Sequence, residues 1–431
     1  MPSAVPACAD VPQPAHPLRH RPVDARARYR FVRAETLARV QGLTAEDQTL
    51  QSMPDASPTK WHLAHTTWFF ETFLLSGLAP GYTPFDPHFR YLFNSYYEGV
   101  GERWPRAARG LLSRPTVAEV MAYRAHVDRA MEAWLDGGAL DAHTAALLEL
   151  GLQHEQQHQE LIITDIKHAL MLHPFPPAIF PAPAPAEPAG QITWRAVPAG
   201  LYAVGATGKE DFIFDNETPR HKVWLEAFEI ADRAVTNADY LEFMADGGYR
   251  RAELWLSDGW AVVRAQDWQA PLYWQRGEEG AWQVKTLSGC RPVDPNEPVC
   301  HISQYEADAY ARWAEARWPG ARLPTEAEWE IAAGEPPVER ALDDGSFHAR
   351  VTAGFYGDVW EWTASAYTGY PGYRPPDGAI GEYNGKFMSG QMVLRGGSRA
   401  TPAGHVRKTY RNFFPPATRW QFSGLRLART P

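Results

Sequence analysis

Histidines spaced one helical turn apart carry the strongest chemical signal in the chain. In the run HEQQH, His154 and His158 leave the same face of an α-helix, so both imidazoles can reach one ion. An isolated HxxxH is also what a solvated helix face with accidental histidines looks like, so the context has to decide. His65 is the natural third ligand, because it sits among Trp61, Ala64 and Trp68 on an apolar, aromatic surface where a neutral imidazole needs a reason to be buried. His62 competes for that role, and His168 and His173 are expected to fall beyond the helical stretch that faces the site. Three neutral imidazoles without a thiolate leave coordination positions open, as a catalytic ion requires. The run also matches the HExxH pattern of zinc proteases, with Glu155 as the base, but the HxxGxxH continuation and a downstream glutamate motif are missing.

These ligands need long helices to hold them. After a Pro/Ala/Arg-rich stretch over residues 1–22, expected to be a disordered tail, ARYRFVRAETLARVQGL repeats apolar residues at helical steps. Ser57-Pro58 predicts the start of a second helix through WHLAHTTWFFETFLL, ended by Gly77. A loop rich in aromatics and arginine follows, and Thr116 and Asp141 are placed to cap two further helices, the last one carrying HEQQH. Four such helices predict a bundle over residues 23–173, with the site between facing helices. The proline density of PFPPAIFPAPAPAEPAG, residues 174–190, predicts an extended, semi-stiff linker. Residues 191–431 turn to short β-like runs, many Gly and Trp, and short helical pieces, which predict an α+β domain without internal repeats.

Composition narrows the function. With 45% hydrophobic and 22% charged residues the 431-residue chain has the make-up of a globular protein of two domains. A net charge of -9 argues against a nucleic-acid partner. The N-terminal prolines interrupt any signal-peptide core and no run of about 18 apolar residues exists, so neither export nor a membrane span is expected. Cys8, Cys290 and Cys300 suit reduced thiols in a cytoplasmic protein, although Cys290 and Cys300 could pair.

Longer motifs go further. SPTKWHLAHTTWFFETFLL followed by HEQQHQEL resembles the DinB-like domain of the ergothioneine-biosynthesis sulfoxide synthases. PRHKVWLEAFEIADRAVTNADYLEFM, ARLPTEAEWEIAA, GDVWEWTASAY and VLRGGSRA resemble the formylglycine-generating-enzyme (sulfatase-modifying factor) fold, which is related to C-type lectins. Together they cover nearly everything from residue 25 to 428 and displace the zinc-protease alternative. The copper-binding cysteines of true formylglycine generators are absent after RGGS, so the second domain is expected to form half of a substrate pocket.

The resemblance implies Fe(II) on His65, His154 and His158, O2 as co-substrate, and coupling of cysteine to the imidazole C2 of hercynine, the trimethylated betaine of histidine. It implies that Gln157 hydrogen-bonds the hercynine imidazole and that Tyr96 and Tyr97 form a catalytic pair able to supply a proton. Arg103 and Arg106 fall where the family holds the donor's carboxylate, with Arg90 and Arg109 less favoured. Asn412, with the ring faces of Phe413 and Phe414, is implied near the trimethylammonium group. The Asn-Phe-Phe run lacks the Trp-Asp pair of relatives that use γ-glutamylcysteine, which favours free cysteine. A selenoneine synthase taking a selenosugar has nearly the same domains. The ovothiol-type 5-histidylcysteine sulfoxide synthase normally adds a methyltransferase, for which no GxGxxG-type segment is present. A non-catalytic metal- or ligand-binding protein is the rival from another class.

Overall fold

The computed structural model describes residues 24–138, 140–336, 345–350, 354–376 and 384–431. The stretch expected to be a disordered tail lies outside them. Four long helices form the first half: α1 (Ala25–Ala38), α2 (Thr59–Phe70), α3 (Val117–Leu135) and α4 (Ala142–Met171). Helix α3 opens with the expected cap, in which Thr116 and Glu119 exchange side-chain and backbone hydrogen bonds, and Asp141 accepts from the Thr144 amide at the start of α4. One expected helix signal does different work. Ser57 does not cap α2: its amide donates to Asp165 Oδ2 at 2.8 Å and its hydroxyl accepts from Arg109 at 2.8 Å, so long-range partners outcompete the local cap. Gly77 lies in the last turn, Ser76–Leu78, which the chain reaches through a π-helical turn at Glu71–Leu75. That wide turn points the Glu71 carboxylate at Tyr82, Tyr123 and the Phe85 amide.

Helix α2 is buried at every position, which explains why it shows no amphipathic stripe. In α4, Glu155 turns away from the two histidines and into the bundle. There its carboxylate accepts from Arg33 at 2.9 Å, Thr36 at 2.6 Å and Arg124 at 2.5 Å. Burial alone would raise the Glu155 carboxyl, but Arg124 and Arg33 together hold it down at about 2. A glutamate so engaged cannot serve as a zinc-protease base.

Among its described residues the second half carries thirteen short strands. The first seven are β1 (Trp194–Val197), β2 (Gly200–Val204), β3 (His221–Leu225), β4 (Phe228–Ala231), β5 (Trp274–Arg276), β6 (Trp282–Thr286) and β7 (Gly289–Pro292). The rest are β8 (Ala321–Arg322), β9 (Trp360–Ala366), β10 (Met392–Arg395), β11 (Asn412–Phe414), β12 (Ser423–Gly424) and β13 (Ala428–Arg429). They form sheets in the orders β1-β4-β13-β8, β11-β10-β9-β12, β2-β3 and β5-β6-β7, all antiparallel except the β12–β9 pair. Much of the remaining chain is irregular, and buried Arg–Glu pairs pin it: Arg395 to Glu330, Arg411 to Glu326 and Arg426 to Glu361. Two glycines of the RGGS motif are sterically required, since a Cβ on Gly396 would lie 2.5 Å from the Phe355 carbonyl and one on Gly397 2.4 Å from Val406, both at positive φ.

The proline-rich segment is extended as expected, but it is strapped down rather than free. The Ile179 and Phe180 amides donate to the Leu287 carbonyl, and Phe180 packs edge-on against Phe347. The apolar side chains between its prolines have surface to bury there, which a solvated linker would leave exposed. The bundle core likewise continues into the second half through Tyr273, Leu287, Phe347 and Phe422. Cys290 and Cys300 are both free. Among the described residues no helix is long and apolar enough to cross a membrane.

Replacing Glu155 by Gln leaves two buried guanidinium groups short of countercharge, and a loss of about 3–5 kcal/mol in unfolding free energy is expected. Since the folded-state carboxyl is held near 2, below the roughly 4.3 of a free glutamate, its contribution is fully present above about pH 4.3 and is lost as pH falls through about 2. Urea unfolding of both proteins between pH 7 and pH 3 checks this, the difference between them narrowing toward acid.

Candidate metal centre

His65 of α2 and His154 and His158 of α4 converge so that one nitrogen from each lies within 4.8 Å of the others, all three rings being buried. Their orientation follows from their partners. His65 Nδ1 stands 2.6 Å from the Phe93 carbonyl, an acceptor, so Nδ1 carries the hydrogen and the Nε2 lone pair faces His154 Nε2 at 3.2 Å. His65 is also sandwiched between two indoles, Trp61 at 4.6 Å and Trp68 at 5.6 Å, both nearly parallel to it. The His158 ring is set by a relay. Asp165 Oδ2 accepts from His62 Nε2 at 3.1 Å, which leaves His62 Nδ1 to accept from His158 Nδ1 at 2.8 Å and frees His158 Nε2 as a donor atom. His62, the rival third ligand, therefore orients a ligand.

Burial lowers the pKa of all three imidazoles, His154 to about 4, with mutual repulsion adding to the effect at His65 and His158. Neutral nitrogens with lone pairs converging in a dry site are what a divalent metal requires, and three of them leave positions for exogenous ligands.

The triad borders a cavity of about 670 Å³ walled by both halves of the chain. Of the residues singled out in the sequence, Tyr96, Arg106, Gln157, Asn412, Phe413 and Phe414 line it. Gln157 donates to the Tyr410 hydroxyl at 2.8 Å, and Phe413 stacks on Tyr367 at 3.9 Å. Arg106 donates to the Tyr96 hydroxyl at 3.0 Å and to the Asp55 carbonyl. Tyr96 also meets Phe387 of the second half edge-on, 5.1 Å between centroids.

Two of the expected residues are not brought into the lining. Tyr97 is buried beside it, its ring packed against Trp68, Phe69 and Phe73, because Asn94 holds the Tyr97 backbone in a tight turn. Arg103 points outward, paired with Glu98 at 2.9 Å and bonded to the Ser95 carbonyl. His168, expected beyond the site, lies within α4 and lines the cavity, with Nδ1 2.7 Å from the Ser52 hydroxyl. Arg109, less favoured in the sequence than Arg103 and Arg106, lines it too. A signal for Arg109 existed: Arg106 and Arg109 are three apart, and in the 3-10 helix Arg106–Leu111 that spacing puts both on one face. Asp165 carried no such signal, since its role depends on a helix packed across from it.

Known proteins match this arrangement part by part and as a whole. Residues 28–162 match the DinB superfamily, and residues 181–346 and 352–431 match the sulfatase-modifying factor enzyme 1-like domain. The hercynine oxygenase of Mycolicibacterium thermoresistibile is 33% identical over 416 residues, covering 87% of this chain and 88% of its own. That of Mycobacterium tuberculosis is 33% identical over 440 residues, covering 92% and 96%. A formylglycine-generating enzyme of Streptomyces coelicolor is 30% identical over 278 residues, which span 51% of this chain and 81% of the relative. Similarity along nearly the full length is to the first kind, so the chain belongs to the hercynine oxygenase family and is an oxidoreductase built from a DinB-type bundle and a sulfatase-modifying-factor-type domain.

Proposed function

We propose that the protein is an Fe(II)- and O2-dependent sulfoxide synthase that joins cysteine to the imidazole C2 of hercynine in ergothioneine biosynthesis. The observation that carries this reading is the all-imidazole triad beside a cavity shared by both halves. The overall change balances: hercynine C2–H, cysteine S–H and O2 become a C2–S bond, an S=O group and one water. Four electrons leave the substrates and reduce O2. Iron(II), held by His65, His154 and His158, would supply the redox chemistry that zinc lacks.

The chain's own residues do the rest. Gln157, fixed by Tyr410, presents its amide to the hercynine imidazole, and Asn412, Phe413 and Phe414 place a polar group and ring faces near the trimethylammonium cation. The Tyr96 oxygen accepts from Arg106, which leaves its O–H to donate into the cavity as the proton source. Both halves of the chain wall the cavity in which these groups meet.

His154→Ala and His158→Ala are expected to lose both iron and turnover, whereas His62→Ala, which removes only the orienting partner of His158, should weaken iron affinity about 10–100-fold and retain some activity. Metal analysis with product assay distinguishes them, and full iron binding in His65→Ala would identify the wrong third ligand. Tyr96→Phe should shift product from sulfoxide toward the sulfinate of the thiol while iron content is unchanged. Tyr97→Phe, outside the cavity lining, should leave the product ratio near wild type, as mass spectrometry of both variants would show.

Cysteine is the expected donor. A γ-glutamyl arm brings a further carboxylate into a closed site whose Asn-Phe-Phe segment offers it no partner, a cost of roughly several kcal/mol and hence orders of magnitude in kcat/KM. A higher kcat/KM for γ-glutamylcysteine would sink this assignment, and turnover of a selenosugar with neither thiol accepted would move the protein to the selenoneine branch.

A further inference from the structure

Glu149, Gln153 and Gln157 recur at every fourth position of α4 and so form one stripe along the helix. Of the three, Gln157 lines the cavity and the other two do not. A series of hydrogen bonds nevertheless joins them by way of the second half. Glu149, ion-paired with Arg28, accepts from Gln153 Nε2 at 2.8 Å. Gln153 Oε1 stands 2.7 Å from His405 Nδ1, and His405 Nε2 stands 3.2 Å from the Tyr410 hydroxyl. That hydroxyl accepts from Gln157 Nε2 at 2.8 Å. Gln153 and His405 are both buried, and neither has a part in the chemistry described so far.

The direction of every bond in this series is set at its outer end. A carboxylate can only accept, so the Gln153 amide turns its nitrogen to Glu149 and its oxygen to His405. Arg407, which can only donate, reaches the same oxygen at 3.4 Å. His405 therefore carries its hydrogen on Nδ1 and keeps a lone pair on Nε2, which takes the Tyr410 O–H. With its hydrogen spent there, the Tyr410 oxygen can only accept, and Gln157 turns its nitrogen toward it. Burial, with Arg407 nearby, holds His405 well below the usual imidazole range, and burial pushes the Tyr410 hydroxyl up, so neither group changes its proton count near neutral pH.

We propose that His405 is a positioning residue for hercynine: acting through Tyr410, it fixes the oxygen end of the Gln157 amide as the end offered to the substrate. This deepens the function proposed above and rests on it for the contact between Gln157 and the hercynine imidazole. A neutral imidazole has one N–H and one lone-pair nitrogen, and an amide oxygen pairs only with the first. The relay thus selects the tautomer whose N–H faces Gln157 and turns the lone-pair nitrogen away from it. Without the lone pair of His405, the Tyr410 O–H is released to rotate. The Gln157 amide can then flip and set its own N–H against that of the substrate. A residue that does not line the cavity in this way determines how the substrate ring is read.

The test is a double-mutant cycle read by anaerobic calorimetry of hercynine with the iron-loaded protein, cysteine affinity and iron content being measured alongside. Gln157→Ala should weaken hercynine binding about 3- to 10-fold, the worth of one hydrogen bond. His405→Phe should produce a similar loss while cysteine affinity and iron content stay as in wild type. In the Gln157→Ala background, His405→Phe should weaken hercynine no further, because the amide through which it acts is gone. A merely structural role would instead multiply the two losses and lower cysteine affinity as well. Losses that multiply overturn the relay, and so does unchanged hercynine affinity in His405→Phe. Tyr410→Phe, which deletes only the hydroxyl, carries the same comparison should His405→Phe fail to fold. Failure of the relay and failure of the function remain separable. A wild type that completes the cycle as expected but forms no sulfoxide would retain the relay and overturn the function, whereas sulfoxide formation with hercynine affinity indifferent to Gln157 or to His405 would do the reverse.

Discussion

Helix α4 is buried along most of its 30 residues while carrying more polar side chains than a core helix can ordinarily hold. Most of those groups find a partner inside the protein, and much of the rest of the structure is arranged to provide them. Glu155 is answered by Arg33, Thr36 and Arg124 from the bundle. His154 and His158 face α2. Gln153, Gln157 and Glu160 face the second half, where His405, Tyr410, Trp360, Ser398 and Thr401 meet them. One helix therefore positions the metal ligands, holds the bundle together and docks the second half.

This arrangement explains why the histidine triad could be read from sequence and the surrounding cavity could only be read in part. His154 and His158 obey a local rule, the one-turn spacing, and His65 stands out because its neighbours are apolar. The caps at Thr116 and Asp141 are equally local. Ser57 also looked like a local signal, yet it is taken by Asp165 and Arg109. The Tyr96-Tyr97 dipeptide shows the same limit: neighbouring residues in a turn face opposite ways, and only Tyr96 reaches the cavity. The strands and irregular loops of the second half were legible as a class, but their paths depend on Arg–Glu pairs between residues as far apart as Glu326 and Arg411, for which no periodicity exists.

Residues around the triad control the imidazoles by hydrogen bonding more than by charge. Phe93 fixes the tautomer of His65 through a backbone carbonyl, and Asp165 fixes that of His158 through His62. Asp165 takes part in two tasks with one oxygen, Oδ2, which accepts from the Ser57 amide and from the His62 relay.

The Glu160 carboxylate, buried between the halves and bonded to Trp360, Ser398 and Thr401, has a mechanical meaning. Separating the halves would strip three donors from a desolvated anion at once, so the joint behaves as a weld and not as a hinge. The halves also meet at the cavity lining, where Tyr96 packs against Phe387 and Lys386 reaches the Tyr96 carbonyl.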